Sequence, residues 1–268
     1  MNPNNVLRRL AKGPRWLLRR AGLDIVRYRG EGGSRQHLWN VQHSLSDELA
    51  RITDDTITAG PFKGARLPVS WRDRGSKLLG FYEQELHPFV EAVIEWKPDV
   101  VVNVGCADGY YAIGMANRIP GAKSFAYDLD PLAQVACKTA RDINHIDLVV
   151  LGLCTDAELR ERTEKAERPF MLVDCEGGER ELLLSNEYSY SNARIIVECH
   201  DFVDRSITSS LVDKFSQTHS IQTIKQAGRN PFSHPITASW AENDLWIVVS
   251  ERRPERMHWL YMIPKASK

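Results

Sequence analysis

The stretch from Asp99 to Asp130 constrains this chain more than any other. Val100 to Val104 is β-branched except at Asn103, and a run this apolar suits a central parallel strand covered on both faces. It stops at Gly105-Cys106-Ala107-Asp108-Gly109, with Tyr110, Tyr111 and a helical pattern over 112–118 following. So little side chain in the turn lets a ligand approach the backbone and meet the partly positive start of the next helix. The following strand-like segment ends at Asp128, and a carboxylate about 20 residues past such a turn is placed to hold the vicinal diol of a ribose. A dinucleotide fingerprint needs G-x-G-x-x-G. Here the three positions are Gly105, Ala107 and Tyr110, and a tyrosine at the third blocks the close helix packing that glycine or alanine allows, which disfavours NAD.

Downstream, helical and apolar segments alternate: a helix over 131–144, a strand over 146–153, a helix over 156–167, a strand over 170–175, a helix from Glu179 and a strand over 193–199. Alternation of this kind implies right-handed βαβ units, hence an α/β fold with a doubly wound, mostly parallel sheet. Two later apolar runs, 220–224 and 245–250, are separated by Gly228-Arg-Asn-Pro-Phe-Ser-His-Pro235, which reads as loop and predicts an antiparallel terminal pair. Upstream the pattern is less regular. Gly30, Gly32, Gly33 and Ser34 read as a linker, 46–57 as a helix, and 78–96 as a helical segment kinked or broken at Pro88. Three regions result: an arm over 1–30, a helical and loop cap over 31–97, and a ligand-binding domain over 98–268. In the cap, Lys63, Arg66, Trp71, Tyr82 and Glu83 are candidates to face the cleft, against the simpler reading of ordinary surface and core positions.

The chain has 268 residues and no net charge, enough for one large domain with a modest appendage. The charge is unevenly spread. Residues 1–30 carry eight basic side chains against Asp24 alone, with Val6, Leu7, Leu10, Trp16, Leu17, Leu18 and Leu23 interleaved. No apolar run there approaches a membrane span or a signal-peptide core. The arm reads as an amphipathic element that either packs its leucines on the domain or attaches peripherally, through residues 6–29, to an anionic membrane surface. Nucleic acid is not expected as a partner, because no RNA-binding module accompanies the arm. Five cysteines at 106, 137, 154, 175 and 199 form no C-x-x-C pair, so they read as reduced residues of a cytoplasmic protein.

Ligands of doubly wound sheets sit beyond the carboxyl ends of the strands. Besides Asp128, those ends carry Cys154-Thr155-Asp156, Asp174-Cys175-Glu176-Gly177-Gly178-Glu179 and Glu198-Cys199-His200-Asp201. Singly, each acid reads as a helix cap or an ion-pair partner, as Asp156 does. Repeated carboxylates at one edge are hard to explain by packing, because each costs desolvation, and together they indicate a site.

The G-x-A-x-G turn followed by Asp128 resembles class I S-adenosylmethionine-dependent methyltransferases, which usually carry an acid where Asn103 stands. Met171-Leu-Val-Asp-Cys-Glu-Gly-Gly-Glu-Arg-Glu-Leu-Leu183 is similar to the D-x-E-G-x-E segment of the FkbM-type methyltransferases, with the likeness running over residues 98–200 and specific at Asp174, Glu176, Gly177 and Glu179. The resemblance implies S-adenosyl-L-methionine as cofactor, held by Asn103, Gly105, Cys106, Ala107, Gly109, Tyr110, Asp128, Leu129, Thr155 and Asp174. It also implies methylation of a hydroxyl on a sugar, glycan or polyketide-like small molecule. The catalytic candidates are His200, Asp174 and Glu176. His200 lies nearest the working pH, and Glu198 or Asp201 is placed to fix its tautomer; Asp174 and Glu176 compete for the role of base. Asp174, Glu176, Glu198 and His200 also make an oxygen-rich set for a divalent ion, which gives a divalent-metal-assisted O-methyltransferase as one alternative, but their spacing is no recognised ligand motif, and no metal site is assigned. A catalytically silent binding protein is the alternative class, with Asn103 as its support.

Overall fold

In the computed structural model, which describes residues 32–266, the buried run forms strand β1, Val100–Val104, near the middle of a seven-stranded sheet. Parallel to it run β2 (Lys123–Tyr127), β3 (Val149–Leu151), β4 (Pro169–Val173) and β5 (Arg194–Glu198), while β6 (His219–Lys225) and β7 (His258–Pro264) form the antiparallel end. The order across the sheet is β3-β2-β1-β4-β5-β7-β6. This is the expected doubly wound, mostly parallel architecture. The arm read over 1–30 lies outside the described residues.

Register decides where a site can form. Val104 pairs with Tyr127 on one side and Val173 on the other, and Val173 pairs with Val197. The carboxyl ends of β1, β2, β4 and β5 are therefore level, and Gly105, Asp128, Asp174 and Glu198 all step off the same edge.

Strand side chains alternate between two layers. Val101, Ala126, Phe170, Leu172 and Ile196 pack with α3 (His87–Trp96), α4 (Tyr110–Arg118) and α5 (Pro131–Asn144). Val100, Val102, Val104, Met171, Val173 and Val197 pack with α6 (Asp156–Thr163), α7 (Glu179–Leu183) and α8 (Ile207–Phe215) on the other face. A smaller cluster joins α1 (Gly32–Thr53), α2 (Arg74–Leu78) and α9 (Glu242–Val248). Ile57, Phe62, Leu86, Val90 and Val93 of the cap share one buried cluster with β1 and α4, so the cap and the sheet have a common core. Among the described residues no helix is long and apolar enough to cross a membrane.

Several elements differ from the sequence expectation, each for a physical reason. The run at 245–250 is helix α9, not the last strand: Glu242 and Asp244 lie in its first turn, Leu245 and Val248 are buried three residues apart, and Trp246 between them is exposed. The last strand is instead β7, the apolar run at 258–264, so the antiparallel pair exists with a different second member. Pro88 neither kinks nor breaks a helix; it occupies the first turn of α3, where its missing N–H costs nothing. The segment before it is interrupted at Gly80, whose φ of 71° and contact with Ala59 backbone admit only glycine. α1 starts at Gly32 and ends at Thr53, taking in glycines read as linker. The strand read over 146–153 contracts to β3.

Candidate active site at the strand ends

The turn after β1 is held by its neighbours. Gly105 and Cys106 N–H both donate to Tyr127 O, at 2.8 and 2.9 Å. Gly105 has φ 81°, and a Cβ there would stand 1.6 Å from Asp174 O, so only glycine lets the ends of β1 and β4 meet. Ala107 and Gly109 also have positive φ, 47° and 93°. Asp128 closes the turn from the side: Oδ2 accepts from Ala107 N–H at 2.8 Å and Oδ1 from Asp130 N–H at 2.9 Å. Beneath it, Asn103 is buried; its amide donates to Leu172 O at 3.4 Å while Oδ1 has no hydrogen-bond partner among the described residues.

The remaining residues read as cofactor contacts are engaged in different ways. Cys106 is buried, and the Cys137 thiol and desolvation push its own thiol up. Tyr110 packs edge-on against Phe62, Tyr82 and Tyr111, with ring centroids 5.1 to 5.2 Å away. Leu129 is exposed. Thr155 caps α6 in a capping box with Glu158, which occupies both its hydroxyl and its N–H. Asp156 follows that cap and accepts from Asn186 at 2.9 Å.

Asp174, Glu176 and His200 do come together. His200 is buried, with Nε2 3.6 Å from Asp174 Oδ1 and 3.8 Å from Glu176 Oε2. The residue that fixes the ring is neither Glu198 nor Asp201. Glu179, fully buried at the start of α7, places Oε1 2.7 Å from Nδ1, while Asp201 binds Thr208. Burial alone would lower the imidazole, but the Glu179 hydrogen bond and charge, with Asp174 and Glu176, lift it from 6.5 to about 9. Desolvation, opposed by His200, raises Asp174 from 3.8 to about 7. The pair thus shifts His200 toward its protonated form and Asp174 toward its neutral one, against the direction of their unperturbed values.

A second buried network abuts this one. Glu198 is ion-paired to Arg253, whose guanidinium also meets Glu83 and, at 3.0 Å, Glu251. Arg229 bridges Glu251 at 2.5 Å and Glu85 at 2.8 Å. Glu83 receives the Tyr111 hydroxyl at 2.5 Å. Desolvation, then the charge of Asp174, push the Glu198 carboxyl well above its usual range. Of the five cap candidates, Tyr82 and Glu83 reach this network. Arg66 pairs with Asp54 at 3.0 Å and with Asn144 through its backbone, Lys63 is exposed and Trp71 half-buried. The sequence reading missed Lys77, whose Nζ lies 2.7 Å from Asp108 in a buried pair beside Tyr82. It missed Arg253 as well.

No family model and no curated protein matches the chain. Solved structures with a similar course include an rRNA methylase from Streptococcus thermophilus, at 9% identity and TM-score 0.44 over 67% of this chain and 96% of that one. A precorrin-6y C5,15-methyltransferase from Geobacter metallireducens GS-15 matches at 10% and 0.45 over 68% and 89%. An O-methyltransferase from Bacillus cereus in complex with SAH matches at 10% and 0.42 over 83% and 91%. Likeness at these values carries no residue role and no activity to this chain.

Proposed function

We propose that the chain is an S-adenosylmethionine-dependent O-methyltransferase of FkbM type, acting on a hydroxyl of a sugar, glycan or polyketide-like small molecule. One observation carries the reading: the level strand ends put a turn that admits no side chain at Gly105 beside the Asp128 carboxylate on one side and the Asp174–His200–Glu179 group on the other. The residues present suit the cofactor. Gly105 and Gly109 leave backbone open to close approach, the Asp128 carboxylate stands beside the turn as an acceptor of the type that ribose hydroxyls need, and Asn103 Oδ1 is a buried acceptor with no donor among the described residues.

When bound, the cofactor supplies a methyl group on a sulfonium, already a good leaving group, so the protein must position an acceptor oxygen and take its proton. Asp174 and His200 form the polar wall where that proton goes. Glu179 fixes the ring, and the imidazolium offsets the Asp174 charge, which the positive charge of a bound cofactor would also favour. The eight basic residues of the arm, interleaved with leucines, support a peripheral contact of residues 6–29 with an anionic membrane surface facing the cytoplasm. Liposome flotation of the full chain with and without anionic lipid tests that contact.

Calorimetry with S-adenosylmethionine and its demethylated product tests the function. Saturable binding is expected, weakened about 10- to 100-fold in Asp128→Ala, the range for hydrogen bonds to a charged group. Absence of heat at millimolar ligand, with the protein folded, refutes the reading.

A further inference from the structure

The group at the ends of β4 and β5 holds more negative charge than its own cations neutralise. Glu83, Glu85, Glu179, Glu198 and Glu251 all have side chains at most 6% exposed. With Asp174 and Glu176 alongside, seven carboxylates meet two guanidiniums, Arg229 and Arg253, and the His200 imidazole among the described residues. Buried charge in such excess must be met by protons or by a further cation.

One corner has the layout of a ligand set. His200, Asp174 and Glu198 each offer a ligand atom, and these atoms lie within 4.8 Å of one another. The imidazole is oriented as a metal ligand requires: Nδ1 is bound to the Glu179 carboxylate at 2.7 Å, which turns Nε2 inward. Nε2 is aimed into the carboxylates yet lies beyond hydrogen-bond distance of both, 3.6 Å from Asp174 and 3.8 Å from Glu176, on a side chain 4% exposed. Nε2 thus faces these carboxylates across gaps that a shared cation could bridge. Glu198 gives Oε1 to Arg253, and a carboxylate has a second oxygen to offer. The half-exposed Glu176 opens the same corner toward solvent, giving an ion a way in.

We propose that Asp174, Glu198 and His200 hold a divalent cation of the Mn2+ class, with Glu176 beside it and Glu179 as the outer carboxylate that orients His200. One imidazole with two carboxylates suits a borderline ion that also takes oxygen ligands, and three protein ligands leave coordination positions for water or for a hydroxylated acceptor. The site stands whether or not the chain transfers methyl groups. If it does, the acceptor is a molecule with two adjacent oxygens, a vicinal diol or a hydroxy acid, which chelates the ion. This last step alone rests on the methyltransferase reading.

The test uses the full chain, freed of metal by chelation, and Mn2+ as the probe without S-adenosylmethionine. Electron paramagnetic resonance of free Mn2+ should show about one ion bound per chain below about 1 mM. His200→Gln and Asp174→Asn should each weaken binding by at least about tenfold, while Glu181→Gln, on the exposed side of α7, should leave it unchanged. Bound Mn2+ should also broaden the His200 ring resonances before those of His37 or His43, a readout that needs no variant to fold. No binding at about 1 mM overturns the proposal, as does binding equal in the wild type and both variants, or broadening that spares His200. Because the probe is measured without S-adenosylmethionine, its failure is distinct from failure of cofactor binding.

Discussion

Replacing Arg253 with methionine should be among the most damaging single changes in this protein. Methionine keeps an unbranched stem of similar reach but removes the guanidinium that, among the described residues, Glu83 and Glu198 share and that Glu251 meets together with Arg229. Arg253 itself is 12% exposed and those carboxylates 2 to 3%, so water cannot replace the lost partner. Breaking a buried pair by deleting one side typically costs about 3 to 5 kcal/mol, a third or more of a usual folding free energy. Urea denaturation followed by circular dichroism should show the midpoint falling with the slope unchanged, and the melting temperature should drop by roughly 10 °C. The deficit should shrink in acid. Burial already lifts the Glu198 carboxyl above its unfolded value, and the Arg253 charge that opposes this lift is gone in the variant, so the penalty is present above the folded value and fades as pH falls toward about 4. Adding Glu198→Gln to Arg253→Met should recover part of the loss, because one orphaned charge is gone. A loss under about 1 kcal/mol at pH 7, or one that does not diminish toward pH 5, would refute the claim that these charges depend on Arg253.

Two further outcomes are expected. In Glu179→Gln, measured by NMR in chelator, the His200 midpoint should fall from about 9 toward 6.5; since a raised imidazole value stabilises the fold below 6.5 and loses that effect as pH rises through about 9, the wild type should lose stability across this window and the variant much less, and a midpoint still near 9 would show another group holds the proton. Gly105→Ala should cost about 3 kcal/mol or more through collision with Asp174 O, whereas Gly121→Ala, with φ 94° and nothing within 4 Å, should cost only the backbone strain of about 1 to 2 kcal/mol; equal losses would locate the cost in the dihedral alone.

How much of this was legible follows the range of the interactions. β1 and its turn were readable because an apolar run and a glycine cluster are local signals, and Asp174, Glu198 and His200 were readable as strand ends because strands of one parallel sheet finish together. Arg253 was not. It sits in Glu251-Arg-Arg-Pro-Glu-Arg256, a charge run that reads as solvated surface, and its burial depends on Glu83, 170 residues earlier. The partner of His200 was misassigned for a similar reason. Proximity in sequence favours Glu198 and Asp201, but a helix beginning next to a neighbouring strand delivers Glu179. α9 and β7 exchanged identities because five or six apolar residues suit either a helix or a strand, and only tertiary contacts decide.

The seat of β7 bears on how the sheet is assembled. It is the last strand in chain order among the described residues, yet it lies inside the sheet, between β5 and β6. Until it arrives, β5 presents an open edge of backbone donors and acceptors, and β6 has no neighbour at all among the strands. A nascent chain on the ribosome can therefore complete the β1 to β5 half while carrying an unsealed edge, the kind of surface that recruits chaperones or pairs wrongly with another chain. Sealing waits for the insertion of one strand between two others, and Trp259, buried on that strand, would report the moment by its fluorescence.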